Sequence, residues 1–148
     1  ICDNPSPFLR LARRLGVEEQ VCFTGAREDI AIFYYAADLL IHPAYTENTG
    51  TTLIEAMVCG LPVLATANCG FAFHVEKAGA GLICPMPFEQ EKLNTLLVTM
   101  LDRDRLPKWG SRGAFYCAHA DIFSLVEKAA DIIIARARYN NDLHSRRP

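Results

Sequence analysis

Two glutamates flank the stretch of the chain in which groups able to do chemistry are concentrated. Glu47 and Glu55 are separated by seven residues, among them Asn48, Gly50 and three threonines. Carboxylates accept hydrogen bonds from sugar hydroxyls, and the start of a helix attracts phosphate through its free N–H groups. The combination therefore suits a sugar nucleotide. Simpler interpretations remain open: Glu47 as a solvated loop residue, and Glu55 as the partner of Thr52 in a capping box.

A predicted strand before this stretch and a predicted helix after it would position the two glutamates. The apolar residues 39–41 indicate a buried strand that ends at His42. The apolar residues 53–59 indicate a buried helix, which Gly60 and Pro62 end. The loop between them follows the carboxyl end of a strand, where open α/β sheets bind ligands.

The rest of the chain alternates strands with helices and then becomes helical. Further strands are predicted at residues 21–23, 62–66 and 81–85. Helices are also predicted at residues 5–15, 30–37, 71–77, 88–101, 106–118 and 122–137. This order predicts an α/β fold in which a Rossmann-like parallel sheet carries helices on both faces, followed by a helical C-terminal end.

Composition limits the function further. The 148 residues are one domain's length, and the formal net charge of −2 gives no reason to expect nucleic acid as a partner. No apolar run reaches the roughly 18 residues of a membrane span. The six cysteines are irregularly spaced, so we expect reduced, unpaired thiols, and the four scattered histidines support no metal site.

The spacing of Glu47 and Glu55, between His42-Pro43 and Gly60-Leu61-Pro62, resembles the E-x₇-E motif of retaining glycosyltransferases with the GT-B fold, of the family 4 type. Within that group, residues 39–47 and 68–72 are most similar to the lipopolysaccharide core glucosyltransferases. The resemblance covers residues 9–135 and is strongest over residues 23–70. It implies that residues 1–138 are part of a nucleotide-sugar-binding domain, with residues 139–148 as a polar tail. The first two strands of that domain, and an acceptor-binding domain, are expected before residue 1.

The resemblance also implies roles for single residues. Glu47, the candidate catalytic residue, would meet hydroxyls of the transferred sugar, and Glu55 would accept from the ribose hydroxyls. Backbone N–H groups from Thr49 to Leu53 would approach the diphosphate. The full set of candidate donor-binding residues is Glu47, Asn48, Thr49, Gly50, Thr51, Thr52, Leu53 and Glu55. The candidates for the nucleobase are Gly25, Ala26 and Arg27, although Arg27 is equally well explained as a surface arginine beside acidic neighbours.

The reaction implied is transfer of a hexose, with retention, from UDP-glucose or a similar donor to a glycan or lipopolysaccharide-core acceptor. No metal or other cofactor is expected, and the Arg/Lys pair with which the family stabilises the leaving phosphate would precede residue 1. The resemblance implies a cytoplasmic enzyme, with peripheral contact at the inner face of the cytoplasmic membrane left open. Two alternatives also remain: a GT-B sugar-nucleotide epimerase and a non-catalytic flavodoxin-like module.

Overall fold

The computed structural model describes residues 5–122 and 124–145. The chain divides into two compact units, Ile1–Phe33 and Tyr34–Pro148. The first unit contains helix α1 (Ser6–Leu15) and a single 3₁₀ turn at Glu18–Gln20. Helix α2 (Ile30–Ala36) runs across the boundary.

The strand predicted at residues 21–23 is wrong. These residues belong to no strand, and the side chains of Val21 and Phe23 are exposed. A short apolar run becomes a strand only when a neighbour pairs with its backbone and a core covers its side chains. Neither condition is met among the described residues of the first unit, in which the buried hydrophobic side chain is Ala12.

The second unit is built on a parallel sheet. Its strands are β1 (Leu40–His42), β2 (Val63–Thr66) and β3 (Gly81–Cys84), in the order β1-β2-β3. The helices are α3 (Thr51–Val58), α4 (Ala72–Ala78), α5 (Gln90–Met100), α6 (Leu106–His119) and α7 (Leu125–Ser145). Three of the four predicted strands and all the predicted helices are therefore present.

Strand β2 lies at the centre of the fold. Its four residues are all buried, because β1 and β3 pair with its two edges and helices cover both faces. Val63 and Ala65 belong to the cluster that contains residues of α3 and α4, whereas Leu64 packs in a second cluster with residues of α5. The predicted parallel α/β sheet with helices on both faces is confirmed.

Helix α7 continues further than predicted. The apolar pattern indicates a helix that ends at residue 137, followed by a tail from residue 139, but the helix extends to Ser145. Residues 138–145 contain no glycine or proline that would stop it. In the part of the chain that the structure describes, no helix is both long enough and apolar enough to cross a membrane.

Candidate functional site

The predicted strand, loop and helix around Glu47 and Glu55 are present. Strand β1 ends at His42, the loop occupies residues 43–50, and α3 begins at Thr51. Gly50 precedes the helix with φ of +75°, a left-handed conformation that glycine adopts without the Cβ penalty of other residues. This turn sends the chain directly from the loop into α3.

The loop that carries Glu47 is held by the last residue of β2 and by the loop that follows it. The buried Thr66 hydroxyl donates to the Ala44 carbonyl at 2.6 Å, and the Asn68 side-chain amide donates to the carbonyl of Tyr45. The Phe71 N–H donates to the Thr49 carbonyl at 2.7 Å. Three carbonyls of the first loop are therefore tied to the end of β2 and to the loop after it, which fixes the backbone on both sides of Glu47.

Gly70 allows the two loops to come this close. A Cβ added at Gly70 would lie 2.2 Å from the Asn48 carbonyl oxygen and 3.2 Å from the Thr49 Cα. Real Cβ atoms do not approach a backbone oxygen at such a distance. Sequence reasoning missed Thr66, Asn68 and Gly70, because nothing in their local pattern shows which distant loop they contact.

The Glu47 carboxylate lies in the loop beside His42, the last residue of β1, and 34% of its side-chain surface is exposed. One oxygen accepts from the Asn48 N–H at 3.1 Å, and the other lies 3.6 Å from Nε2 of His42. That second distance is too long for a hydrogen bond, and the buried His42 Nε2 has no hydrogen-bond partner among the described residues. The carboxylate retains unused acceptor capacity beside a ring nitrogen, an arrangement able to receive hydroxyl groups.

Glu55 lies one turn into α3, with its side chain at the surface. Its Oε2 accepts a hydrogen bond from the hydroxyl of Tyr34 on α2, at 2.9 Å. Sequence reasoning did not identify Tyr34 as a partner of this carboxylate.

The capping box is not formed. Helix α3 starts at Thr51, its N-cap residue is Gly50, and no side chain caps it. Thr52 is therefore already inside the helix, and Glu55 is too far along to bond back to the N-cap N–H. The turn at Gly50 places the helix start two residues before the position that the Thr52-x-x-Glu55 pattern predicts. As a result, no side chain covers the N–H groups at the start of α3.

Tyr34 is a permanent hydrogen-bond donor at ordinary pH. Its burial raises the pKa of the hydroxyl to about 12, and the adjacent Glu55 carboxylate adds to the effect. Both causes disfavour the phenolate, the first by removing water and the second by charge repulsion. The proton between Tyr34 and Glu55 therefore remains on the tyrosine.

The nucleobase candidates lie in the first unit. Arg27 donates to both carboxylate oxygens of Asp29, at 2.8 and 2.7 Å, and its guanidinium carbon lies 5.4 Å from the centre of the Phe33 ring. The arginine lowers the pKa of the Asp29 carboxyl. The structure thus pairs Arg27 with an acidic neighbour, and the base-binding role of Gly25, Ala26 and Arg27 stays a prediction.

Other predicted features stay predictions too. Residues 5–122 and 124–145 contain no group of three or more His, Cys, Asp or Glu side chains able to hold a metal ion. The described cysteines, which are Cys22, Cys59, Cys69, Cys84 and Cys117, carry free thiols. Cys2 lies outside the described residues.

Comparison with known proteins identifies the family of the chain. Residues 3–113 match the family described as "Glycosyl transferases group 1". The lipopolysaccharide glucosyltransferase WaaG of Escherichia coli (strain K12) is 45% identical over 132 residues, which are 88% of this chain and 35% of that protein.

Several solved structures are similar to the chain, among them those of WaaG and Anabaena HepE. A crystal structure of WaaG, a glycosyltransferase involved in lipopolysaccharide biosynthesis, matches with a TM-score of 0.80 and 44% identity, over 88% of this chain and 35% of that one. Anabaena HepE in complex with UDP and glucose matches with a TM-score of 0.72 and 26% identity, over 88% of this chain and 36% of that one. The chain spans about a third of the length of these relatives. The resemblance predicted from the two glutamates and their flanking residues is confirmed.

Proposed function

This chain belongs to the glycosyl transferases group 1 family, and from that premise we propose that it is the donor-binding part of a retaining hexosyltransferase. The proposed donor is UDP-glucose or a similar nucleoside diphosphate hexose. The proposed acceptor is a glycan or a lipopolysaccharide core, bound by a part of the protein that corresponds to the unmatched length of the relatives. The proposal includes a cytoplasmic location, as the resemblance implies, and leaves peripheral contact with the inner face of the cytoplasmic membrane open.

The observation that carries the proposal is the placement of the two glutamates around one helix start. Glu47 precedes α3, Glu55 lies one turn inside it, and the helix N-terminus between them has no side-chain cap. Two carboxylates with spare acceptor oxygens match the hydroxyls at the two ends of a sugar nucleotide. The uncapped N–H groups and the positive end of the helix dipole match the diphosphate in its middle.

Each group then has a distinct task. Glu47 accepts from hydroxyls of the transferred hexose, and Glu55 accepts from the two ribose hydroxyls. The backbone from Thr49 to Leu53 binds the diphosphate, and Gly50 presents no side chain toward it. Charge builds up on the leaving phosphate during transfer, so N–H groups already aimed at it stabilise the transition state more than the ground state.

The relatives support the choice of donor and acceptor. One relative is named a lipopolysaccharide glucosyltransferase, and another was solved in complex with UDP and glucose. A uracil base and a glucose donor follow for this chain only by that similarity. No metal is included in the proposal, because the helix N-terminus and the Arg/Lys pair expected before residue 1 would together stabilise the diphosphate.

The proposal is tested by titrating UDP and UDP-glucose against two variants of the full-length protein. Glu55→Gln loses charge-assisted acceptance from the ribose, so the affinity for both ligands should fall by about tenfold or more. Glu47→Gln should weaken UDP-glucose and leave UDP nearly unchanged, because UDP lacks the hexose.

The matched control is Glu76→Gln, which makes the same change at an exposed glutamate in the last turn of α4. We expect both affinities to be unchanged in that variant. Equal losses for the two ligands in Glu47→Gln, or unchanged UDP affinity in Glu55→Gln, would contradict the roles assigned to these glutamates. Conversion of UDP-glucose into an epimer without any acceptor would favour the epimerase alternative.

A further inference from the structure

Tyr34 and its neighbour in sequence, Tyr35, differ sharply in burial. Its side chain is buried in the main hydrophobic core cluster, with 8% of its surface exposed, whereas Tyr35 is 71% exposed. A buried tyrosine hydroxyl needs a hydrogen-bond partner, and this one finds it on a different helix, at Oε2 of Glu55. A phenylalanine would fill the same apolar space, so the hydroxyl requires an explanation other than packing.

The other oxygen of Glu55 is not used by the protein. Within the described residues, no hydrogen bond or ion pair engages Oε1, and the side chain is exposed to solvent. Exposed glutamates ordinarily sample several rotamers, and fixing one of them costs conformational entropy. The hydrogen bond from Tyr34 fixes one Glu55 rotamer before any ligand binds, because the core holds the Tyr34 side chain in place.

The hydroxyl donates from one helix to another, from Tyr34 on α2 to Glu55 on α3, at 2.9 Å. The proton that it donates therefore points toward Glu55.

We propose that Tyr34 is a positioning residue of the ribose site, which holds one oxygen of Glu55 so that the other is presented to the ribose hydroxyls. The inference rests on the proposed function, because it needs Glu55 to contact ribose. Tyr34 itself touches no substrate in this scheme. It acts by removing the entropy that Glu55 would otherwise lose when the nucleotide binds.

The test compares two ligands that differ only in the groups Glu55 would contact. UDP and its 2′,3′-dideoxy analogue are titrated against wild type, Tyr34→Phe, Glu55→Gln and the double variant of the full-length protein. Tyr34→Phe should weaken UDP by about fivefold, the equivalent of one ordinary hydrogen bond. It should leave the dideoxy analogue unchanged, and it should add nothing in the Glu55→Gln background.

The control is Tyr35→Phe, which removes a hydroxyl from the adjacent, exposed tyrosine and should change neither affinity. A melting curve for each variant shows whether the fold is intact. Equal weakening of both ligands in Tyr34→Phe, or no weakening of either, would overturn the proposal and leave Tyr34 as a core residue. If Glu55→Gln binds UDP as well as wild type does, the ribose role of Glu55 fails first, and the role of Tyr34 falls with it.

Discussion

Glu47 and Glu55 belong to one candidate site, yet the molecule supports them in opposite ways. The loop of Glu47 is held through its backbone, by hydrogen bonds to the carbonyls of Ala44, Tyr45 and Thr49 from the end of β2 and the loop that follows it. Glu55 stands on a helix, and its carboxylate is held by one side chain, Tyr34. The first support sets where the chain runs, and the second sets only where a side-chain oxygen points.

This difference predicts how far the effect of a substitution extends through the candidate site. A substitution in the loop after β2 should move the backbone around Glu47. It should therefore weaken binding of both the diphosphate and the hexose. A change at Tyr34 should affect one end of the ligand and leave the loop in place. Variants that disturb each support separately test this difference. Similar effects on stability and ligand affinity from both kinds of variant would contradict it.

The largest effect is expected from Gly70→Ala. The added Cβ would lie 2.2 Å from the Asn48 carbonyl oxygen, so the two loops must separate. Overpacking of this kind costs about 3 kcal/mol of unfolding free energy. UDP-glucose affinity should fall as well, because the backbone beside Glu47 moves. Urea denaturation and ligand titration measure the two losses.

Gly16→Ala is the control for that variant. Gly16 has φ of +69° and no atom within 4 Å of an added Cβ, so alanine is strained there without colliding with anything. We expect a loss of about 1 kcal/mol and unchanged ligand affinity. If Gly70→Ala proved no more harmful than Gly16→Ala, the close contact of the two loops would not be what supports Glu47.

A smaller effect is expected from Thr66→Val. Valine keeps the shape of the buried side chain but removes the hydroxyl that donates to Ala44 at 2.6 Å, so a carbonyl is left without its donor. The expected cost is about 1.5 kcal/mol, with a modest loss of UDP-glucose affinity. Chemical denaturation gives the first value.

Thr99→Val provides the comparison for Thr66. The Thr99 hydroxyl bonds the Thr95 carbonyl on the exposed side of α5, and water can replace that bond. The unfolding free energy should therefore change by less than about 0.5 kcal/mol. Similar losses in the two variants would show that Thr66 has no special role in holding the loop.

The smallest effect is a pH dependence at Tyr34. Its pKa is raised from 10.0 to about 12, so the folded protein keeps a proton that the unfolded chain loses in this range. The stability that results is fully present below pH 10 and is lost as the pH rises toward 12. Solvent at the exposed Glu55 screens the interaction and keeps the effect small.

The measurement is the difference in unfolding free energy between wild type and Tyr34→Phe, taken at intervals from pH 8 to pH 12. The difference should narrow above pH 10, because the variant has no hydroxyl to titrate. Other tyrosines, cysteines and lysines titrate in both proteins and cancel. A difference that stays constant over the whole range would argue against a buried proton shared with Glu55.

The sequence alone predicted the second unit well, because its signals are local. Apolar runs bounded by glycine and proline predicted β1, β2, β3 and the helices between them, and alternation predicted a parallel sheet. The strand predicted at residues 21–23 was wrong, although it rested on the same kind of apolar run. Such a run indicates that a segment can pair and be buried, and it does not show that a neighbouring strand is present.

The candidate site was predicted in part. The placement of Glu47 and Glu55 around a strand, a loop and a helix was visible in their spacing. The capping box was not formed because the chain turns at Gly50, with a positive φ that no local pattern reveals, and the helix begins two residues early. Tyr34, Thr66 and Gly70 were not found, since each acts on residues more than twenty positions away in the chain. Contacts between residues so far apart depend on the fold and leave no recognisable pattern in the local sequence.

The burial of β2 has a consequence for hydrogen exchange. Its amides are paired on both sides and shielded by helices on both faces, so they should exchange with solvent only when the whole second unit unfolds. Thr66, at the end of that strand, is the residue whose hydroxyl holds the loop of Glu47. The slowest-exchanging part of the molecule is thus in direct contact with a loop proposed to bind ligand. Deuterium uptake at the amides of β2 should accordingly be slow even before any nucleotide is added.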